Sequence, residues 1–372
     1  MPAKQKDQKS EGLFTASQWQ LMRWRFTKHR LAVVSLIILV VFYLVAAFSE
    51  FVAPYPAGRY SATYVLAAPS ELHFVNPEGN LTLRPFVYGL ESKRDMETLA
   101  IVFEEDETVT YPIRFFVRGD TYKLWGLWET DLHLFGLGSD EGMLFVWGAD
   151  ELGRDVFSRT VYGARISLSI GLVGVFLSLI LGIVLGGMSG YYGGTVHLVI
   201  QRVIEFLRSL PAIPLWMTLA VALPIGWAPI KRYFGITVIL SLIGWTGLAR
   251  VVRGRFMALR EEDFVVAAML CGAPKMRIIL RHMAPSFASH LIASLTLSIP
   301  GMILSETSLS FLGLGLQPPV VSWGVLLQAA QNLRTVVLAP WLMLPGLAVV
   351  IAVLAFNFVG DGMRDAADPY TV

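Results

Sequence analysis

The stretch LAVVSLIILVVFYLVAAFS (31–49) runs for 19 positions without a charged residue. At 1.5 Å of rise per residue, a helix of about 20 apolar residues crosses the roughly 30 Å hydrocarbon core of a bilayer. Five more runs lack Asp, Glu, Lys and Arg: 166–201, 209–230, 233–249, 283–305 and 335–360. They predict transmembrane helices at 31–53, 166–189, 210–229, 234–252, 287–311 and 339–360. The first run is longer than the apolar core of a secretory signal peptide, about 7–15 residues, and is read as an uncleaved signal anchor.

Charge placement agrees with this reading. Charged residues make up 16 % of the 372-residue chain, against about 25 % in a typical soluble domain. Thirty Lys/Arg nearly cancel 28 Asp/Glu, so no basic excess points to nucleic acid. A single cysteine, Cys271, excludes an intrachain disulfide or a cysteine-cluster zinc site. Bases concentrate in residues 1–30 (Lys4, Lys6, Lys9, Arg23, Arg25, Lys28, Arg30) and around 250–286 (Arg250, Arg253, Arg255, Arg260, Lys275, Arg277, Arg281). Lys/Arg-rich short connections stay in the cytoplasm. Both termini and the loop 253–286 are therefore expected inside, and residues 54–147 outside. Residues 1–22 are polar, predicting disorder through Glu11. The Trp- and base-rich flank 17–30 suits a helix lying at the inner interface.

Residues 54–147 have another texture. Six prolines punctuate them, and ETLAIVFEED (97–106) and TVTYPIRFFVRG (108–119) are rich in β-branched and aromatic residues. They predict two strands around an acidic turn at Glu104–Glu107, within a small, mainly β extracytoplasmic insert. His73 and His133 are isolated in the sequence and expected to be structural. No metal or nucleophile constellation appears in 54–147.

EEDFVVAAMLCGAPKMRIILRHMAP (261–285) is the most informative loop. Asp263 can cap a helix over Phe264–Cys271. Gly272 suits the left-handed residue that ends it, and Pro274 can open the next. Two short helices at a glycine corner form a stiff knob, with small Ala267 and Ala268 allowing close approach by another surface.

Ala267, Ala268, Gly272 and Pro285 resemble the EAA motif of ATP-binding-cassette importer permeases, with Val266 in place of the eponymous Glu and His282–Pro285 in place of the family's distal ending. Three further segments resemble the oligopeptide/dipeptide/nickel branch of that family. They are WGADELGRDVFSRTVYGARISL (147–168), LSFLGLGLQPPVVSWG (309–324) and PGLAVVIAVLAFNFVGDGMRDAADP (345–369). The resemblance covers 147–372, is closest to the C-type permease, and leaves 54–147 as a departure. It implies the type I importer permease fold, an all-α polytopic membrane protein with a permease core over 148–372. It also implies a homologous second permease, two ATPase subunits and an extracytoplasmic solute-binding protein as partners. Asp263, Ala267, Ala268, Gly272 and Pro285 would contact the ATPases. The chain has no G-x-x-x-x-G-K-[ST] loop, so ATP and magnesium belong to those partners, and no cofactor, metal or catalytic residue is expected here.

Other residues carry weaker expectations. Asp150, Glu151, Arg154, Asp155, Arg159 and Arg165 alternate in sign at helical spacing, allowing ion pairs at an elbow outside helix two. Glu306 is the one acid well inside a predicted span. Such a charge must face a cavity or a partner, so Glu306, Gln317 and Trp323 are expected at the translocation path or its mouth, with an inter-helix or inter-subunit hydrogen bond as the alternative for Glu306. The solute is expected to be a peptide, with nickel, oligosaccharides and other small solutes open. An ion-coupled secondary transporter is a competing class. Pro211, Pro214 and Pro224 predict kinks or an entry turn in helix three.

Overall fold

The computed structural model describes residues 18–75, 81–94, 101–139, 142–224 and 226–367; the start expected to be disordered through Glu11 lies outside them. The basic aromatic flank is helix α1 (Gln18–Lys28). The first apolar run is α2 (Arg30–Ala47), followed by the short α3 (Ser49–Val52).

The insert is a β region. Strands β1 (His73–Val75), β2 (Leu81–Arg94) and β3 (Ile101–Pro112) form one antiparallel sheet in that order, and β4 (Arg114–Leu124) with β5 (Trp128–Gly136) form a separate hairpin. The acidic run is not the expected turn. Glu104 and Glu105 sit within β3, opposite Glu91 and Leu90. Lys93 offsets the acids by bonding Glu104 at 2.6 Å. Only after Asp106 does the ladder slip: Tyr88 faces Thr110 while Gly89 faces Asp106. The Asp106 carboxylate takes up the unpaired chain by accepting from the Thr108 amide at 2.9 Å, an Asx-type bond.

Helix α4 (Val156–Tyr192) starts ten residues before the expected 166. Asp155 sets that start, since its carboxylate accepts from the Ser158 amide at 2.7 Å as an N-cap does. The expected span 210–229 is helical only over 212–221, and a further helix precedes it. Helices α5 (Gly194–Ser209) and α6 (Ala212–Val221) meet at 89°. Leu210, just before Pro211, is extended, because the proline ring disfavours helical backbone in the preceding residue. The fourth span, α7 (Pro229–Leu259), runs past 252 into the expected loop. Then follow α8 (Asp263–Leu270), α9 (Lys275–Arg277), a π-helical stretch Ile278–Met283, α10 (Ala284–Ser286), α11 (Ala288–Phe311), α12 (Trp323–Gln328), α13 (Leu333–Leu338) and α14 (Leu344–Ala367). The chain is thus mainly helical. Among the described residues five helices are long and apolar enough to cross a membrane, six if the bent pair counts as one span.

The chain divides into two compact units. In the one built from Met1–Val40, Ile170–Ser305 and Ile351–Val372, α4 packs on α7 through glycines four residues apart. A Cβ on Gly182 would meet Leu248 at 2.9 Å, one on Gly186 the Ala249 carbonyl oxygen at 2.5 Å, and one on Gly190 Phe256 at 2.7 Å. Small residues let helix backbones approach in lipid, where dispersion rather than hydrophobic burial holds helices together. The second unit comprises Val41–Ser169 and Glu306–Val350.

Gly186→Val forces the α4 and α7 backbones apart, and overpacking of this kind costs about 1–3 kcal/mol or more. The expected outcome is a lower thermal midpoint and a smaller monodisperse yield in detergent. An unchanged midpoint would contradict the close approach.

Candidate functional site

The glycine corner exists. Gly272 has φ +75°, the Ala273 amide donates to Ala268 O at 3.1 Å and the Gly272 amide to Met269 O at 2.9 Å, the paired bonds of a Schellman ending. One detail differs from expectation. The N-cap position of α8 is Glu262, without a side-chain bond, and Asp263 is the first helical residue. An acid there still favours the positive end of the helix dipole. Beneath the knob, Val265, Ile279 and Met283 are fully buried together with Phe256 and Val252. Lys275 lies over the Tyr192 ring at 4.8 Å. Above it, Asp263, Ala267, Gly272 and Pro285 are exposed, Ala268 is half-buried, and Leu270 is 83 % exposed. A rigid base thus carries an apolar tip that nothing in the chain covers among the described residues.

Glu306 and Trp323 are both buried in the chain. Glu306 is 0 % exposed. Its carboxylate accepts from Ser322 Oγ at 2.7 Å, Ser310 Oγ at 2.8 Å and Ser167 Oγ at 3.4 Å. Each hydroxyl passes the order on: Ser310 accepts from the Leu316 amide, Ser322 from the Val325 amide, Ser167 from the Trp323 amide. The Trp323 indole then donates to Thr160 O at 3.0 Å. Each hydroxyl donates to the carboxylate and accepts from an amide, so the buried charge is held by dipoles and four chain segments are pinned together. This is the inter-helix hydrogen-bond alternative for Glu306. Gln317 lies apart, exposed, donating to Gly313 O.

The elbow carries ion pairs as expected, on a chain that is irregular over residues 147–155, with Gly148 and Gly153 at positive φ. They fold around the Asp150 carboxylate, which accepts from the Leu152 and Arg154 amides and from Arg154 Nε at 2.8 Å, and pairs with buried Arg159. Arg165 binds Glu50 through both terminal nitrogens at 2.6 Å and also donates to the Ala46 and Ala47 carbonyls. A cation there offsets the negative end of α2. A polar cleft of about 510 Å³ opens beside this elbow, lined by Glu151, Arg154, Gln328 and Asn332 among others.

Sequence reasoning missed a second cavity, in the other unit. It measures about 270 Å³, has walls from α4, α6, α7 and α11, and no ionisable residue lines it. Ser178 on α4 and Trp216 on α6 face it, and neither Ser178 Oγ nor Trp216 Nε1, both buried atoms, has a hydrogen-bond partner among the described residues. Gly301 on α11 opens it further, since a Cβ there would meet nothing within 4 Å. Serine, tryptophan and glycine are too ordinary in spans to have flagged the place. Elsewhere, Glu71, His73 and Glu105 bring three potential metal-ligand atoms within 4.8 Å of one another, and His73 Nε2 lies 2.9 Å from Glu105. His133 is buried between the Ala53 and Asp120 carbonyls.

With this geometry described, comparison places the chain among known proteins. Residues 182–371 match the family described as binding-protein-dependent transport system inner membrane component. Residues 17–69 match the N-terminal TM domain of oligopeptide transport permease C. The oligopeptide transport system permease protein OppC of Haemophilus influenzae is 42 % identical over 242 residues, 65 % of this chain and 75 % of that protein. The dipeptide transport system permease protein DppC of Bacillus subtilis is 40 % identical over 225 residues, 60 % of this chain and 68 % of that protein. Among solved structures, the inward-facing MetNI methionine ABC transporter aligns over 57 % of this chain and 97 % of its own, at 17 % identity and TM-score 0.43.

The elbow yields a pH prediction. Burial, with a smaller contribution from the Asp150 charge, pushes the Asp155 carboxyl from 3.8 up to about 6, against the opposing bonds from Ser158. A raised acid costs stability while ionised. As pH falls below about 6 the native state takes up the proton before the unfolded chain does, and stability is regained. Asp155→Asn keeps an acceptor for the Ser158 amide and removes the charge. It should raise the thermal midpoint relative to wild type near neutral pH, with the advantage gone near pH 5. A difference that does not change with pH would contradict the assignment.

Proposed function

Because the chain belongs to the family of binding-protein-dependent transport system inner membrane components, we propose that it is one of two homologous membrane subunits of an ATP-driven importer of peptides. The observation that carries the mechanism is the 263–285 knob, a rigid hydrophobic base under an exposed apolar tip. Closure of two separate ATPase subunits on ATP and magnesium pushes on that tip, and the long helices continuous with its base rock in response. This chain itself is non-catalytic. Its termini and the knob lie in the cytoplasm, and an extracytoplasmic binding protein delivers the solute on the opposite side.

The uncharged cavity supplies the path that Glu306 and Trp323 do not. A buried polar atom without a partner costs about 1–3 kcal/mol, a cost that a partner entering the cavity would relieve. The Trp216 indole N–H can donate to a passing carbonyl, and Ser178 can donate or accept. Peptide main chain offers both groups at every residue. Neutral walls accept any side chain, which favours peptides over nickel, since a transition metal needs imidazole, thiolate or carboxylate ligands and none lines the cavity. The relatives named for oligopeptide and dipeptide transport support the same solute.

Two variants test coupling and path separately. A Cβ on Gly272 meets nothing within 4 Å, so Gly272→Asp adds a charge to the knob surface without a clash, at the cost of backbone strain from the positive φ. Its expected effect is ATP-dependent trialanine uptake reduced to background with normal membrane content; normal uptake would overturn the coupling role. Gly301→Leu places a side chain in open cavity space within α11 and should block trialanine uptake while ATPase subunits still co-purify. Uptake at the wild-type rate would overturn the path.

A further inference from the structure

The insert buries few of its largest apolar side chains. Its two buried clusters centre on Val87, Leu137 and Leu144 and on Ala67, Phe145 and Ala149. The turn of the β4–β5 hairpin contributes to neither. That turn reads Leu124-Trp-Gly-Leu-Trp128, without a charge. Trp125 is 48 % exposed, Leu127 72 % and Trp128 59 %. A solvated hairpin turn would carry polar residues at these places.

The position of the turn explains the composition. The Trp125 indole donates to the carbonyl of Ala47, the last residue of α2, at 2.6 Å. The Trp125 ring lies 5.5 Å from Phe48 and 5.8 Å from Trp128. Midway along the same hairpin, His133 bonds the Ala53 carbonyl. From its middle to its turn, the hairpin therefore runs back along the chain toward the end of the apolar span. α2 is uncharged from Leu31 to Ala47, so Ala47 lies where hydrocarbon gives way to headgroups. Tryptophan concentrates at that level, because its ring is apolar and its N–H is polar.

We propose that the β4–β5 turn is a membrane-interface anchor, with Trp125, Leu127 and Trp128 seated among the lipid headgroups and upper acyl chains around the Ala47 end of α2. The partner is the lipid surface itself. Opposed Lys123 and Glu129 mark where the hairpin leaves the apolar layer. The anchor fixes the insert against the span that carries it. It requires only that α2 crosses the bilayer and is independent of the solute.

Spin-label depth measurement tests this in the intact protein in lipid bilayers. Cys271→Ser removes the native thiol, and a nitroxide is attached at Leu127→Cys or, as a control, at Arg118→Cys, whose native side chain is 84 % exposed. The label at 127 should show a several-fold higher ratio of oxygen to nickel-chelate collision than the label at 118. Equal ratios would overturn the anchor. Shielding of the 127 label from both reagents would also overturn it, in favour of a protein partner covering the turn. Circular dichroism and trialanine uptake of the labelled protein exclude misfolding as the cause.

Discussion

A polar group inside hydrocarbon must find its partner within the protein, because no water is there to serve. Glu306 shows how much architecture that constraint can organise. Its carboxylate is fully buried and collects three serine hydroxyls from α4, from the end of α11 and from the cap of α12. Those hydroxyls in turn fix the amides of Trp323, Val325 and Leu316. The irregular chain between α11 and α12 is tolerable at that depth because its polar groups are held this way. Gly315 and Gly324 belong to the same arrangement, since a Cβ on either would lie within 2.8 Å of Ser310 atoms.

Ser178 Oγ and Trp216 Nε1, at an uncharged cavity, are left without a partner among the described residues, as are Thr307 Oγ1, Asp155 Oδ1 and Arg159 Nε elsewhere. A fully partnered buried carboxylate is scaffold. Loose, neutral contacts suit a passage, which must bind weakly enough to let go. The knob has a different character, an exposed tip on a closely packed, buried base.

Much of this was legible in the sequence. Charge-free runs gave the spans, because the cost of a charge in lipid is large and leaves a gap that can be counted. Gly272 announced its left-handed corner, because few other residues adopt that backbone cheaply. Boundaries were less legible. The start of α4 is set by one capping bond from Asp155, and the break between α5 and α6 by Pro211 acting on Leu210. Long-range partnership was hidden altogether. Glu306 read as a path residue because an isolated acid in a span shows a cost in the sequence but not the three serines, up to 139 positions away, that meet it. The acidic run of β3 read as a turn because Lys93, its cross-strand neighbour, lies eleven positions before Glu104. Ser178 and Trp216 left no signal, since an absent partner is a property of three dimensions only.

The contrast between satisfied and unsatisfied polar groups is tested most directly by water access in the membrane. With Cys271 replaced by serine, Ser178→Cys and Ser167→Cys are exposed in turn to a small water-soluble methanethiosulfonate, in the assembled transporter. If Ser178 lines the passage and Ser167 belongs to the scaffold, the thiol at 178 reacts and trialanine slows its reaction, while the thiol at 167 stays unmodified. Equal reactivity at both positions, or an inert thiol at 178, would contradict the division between scaffold and path.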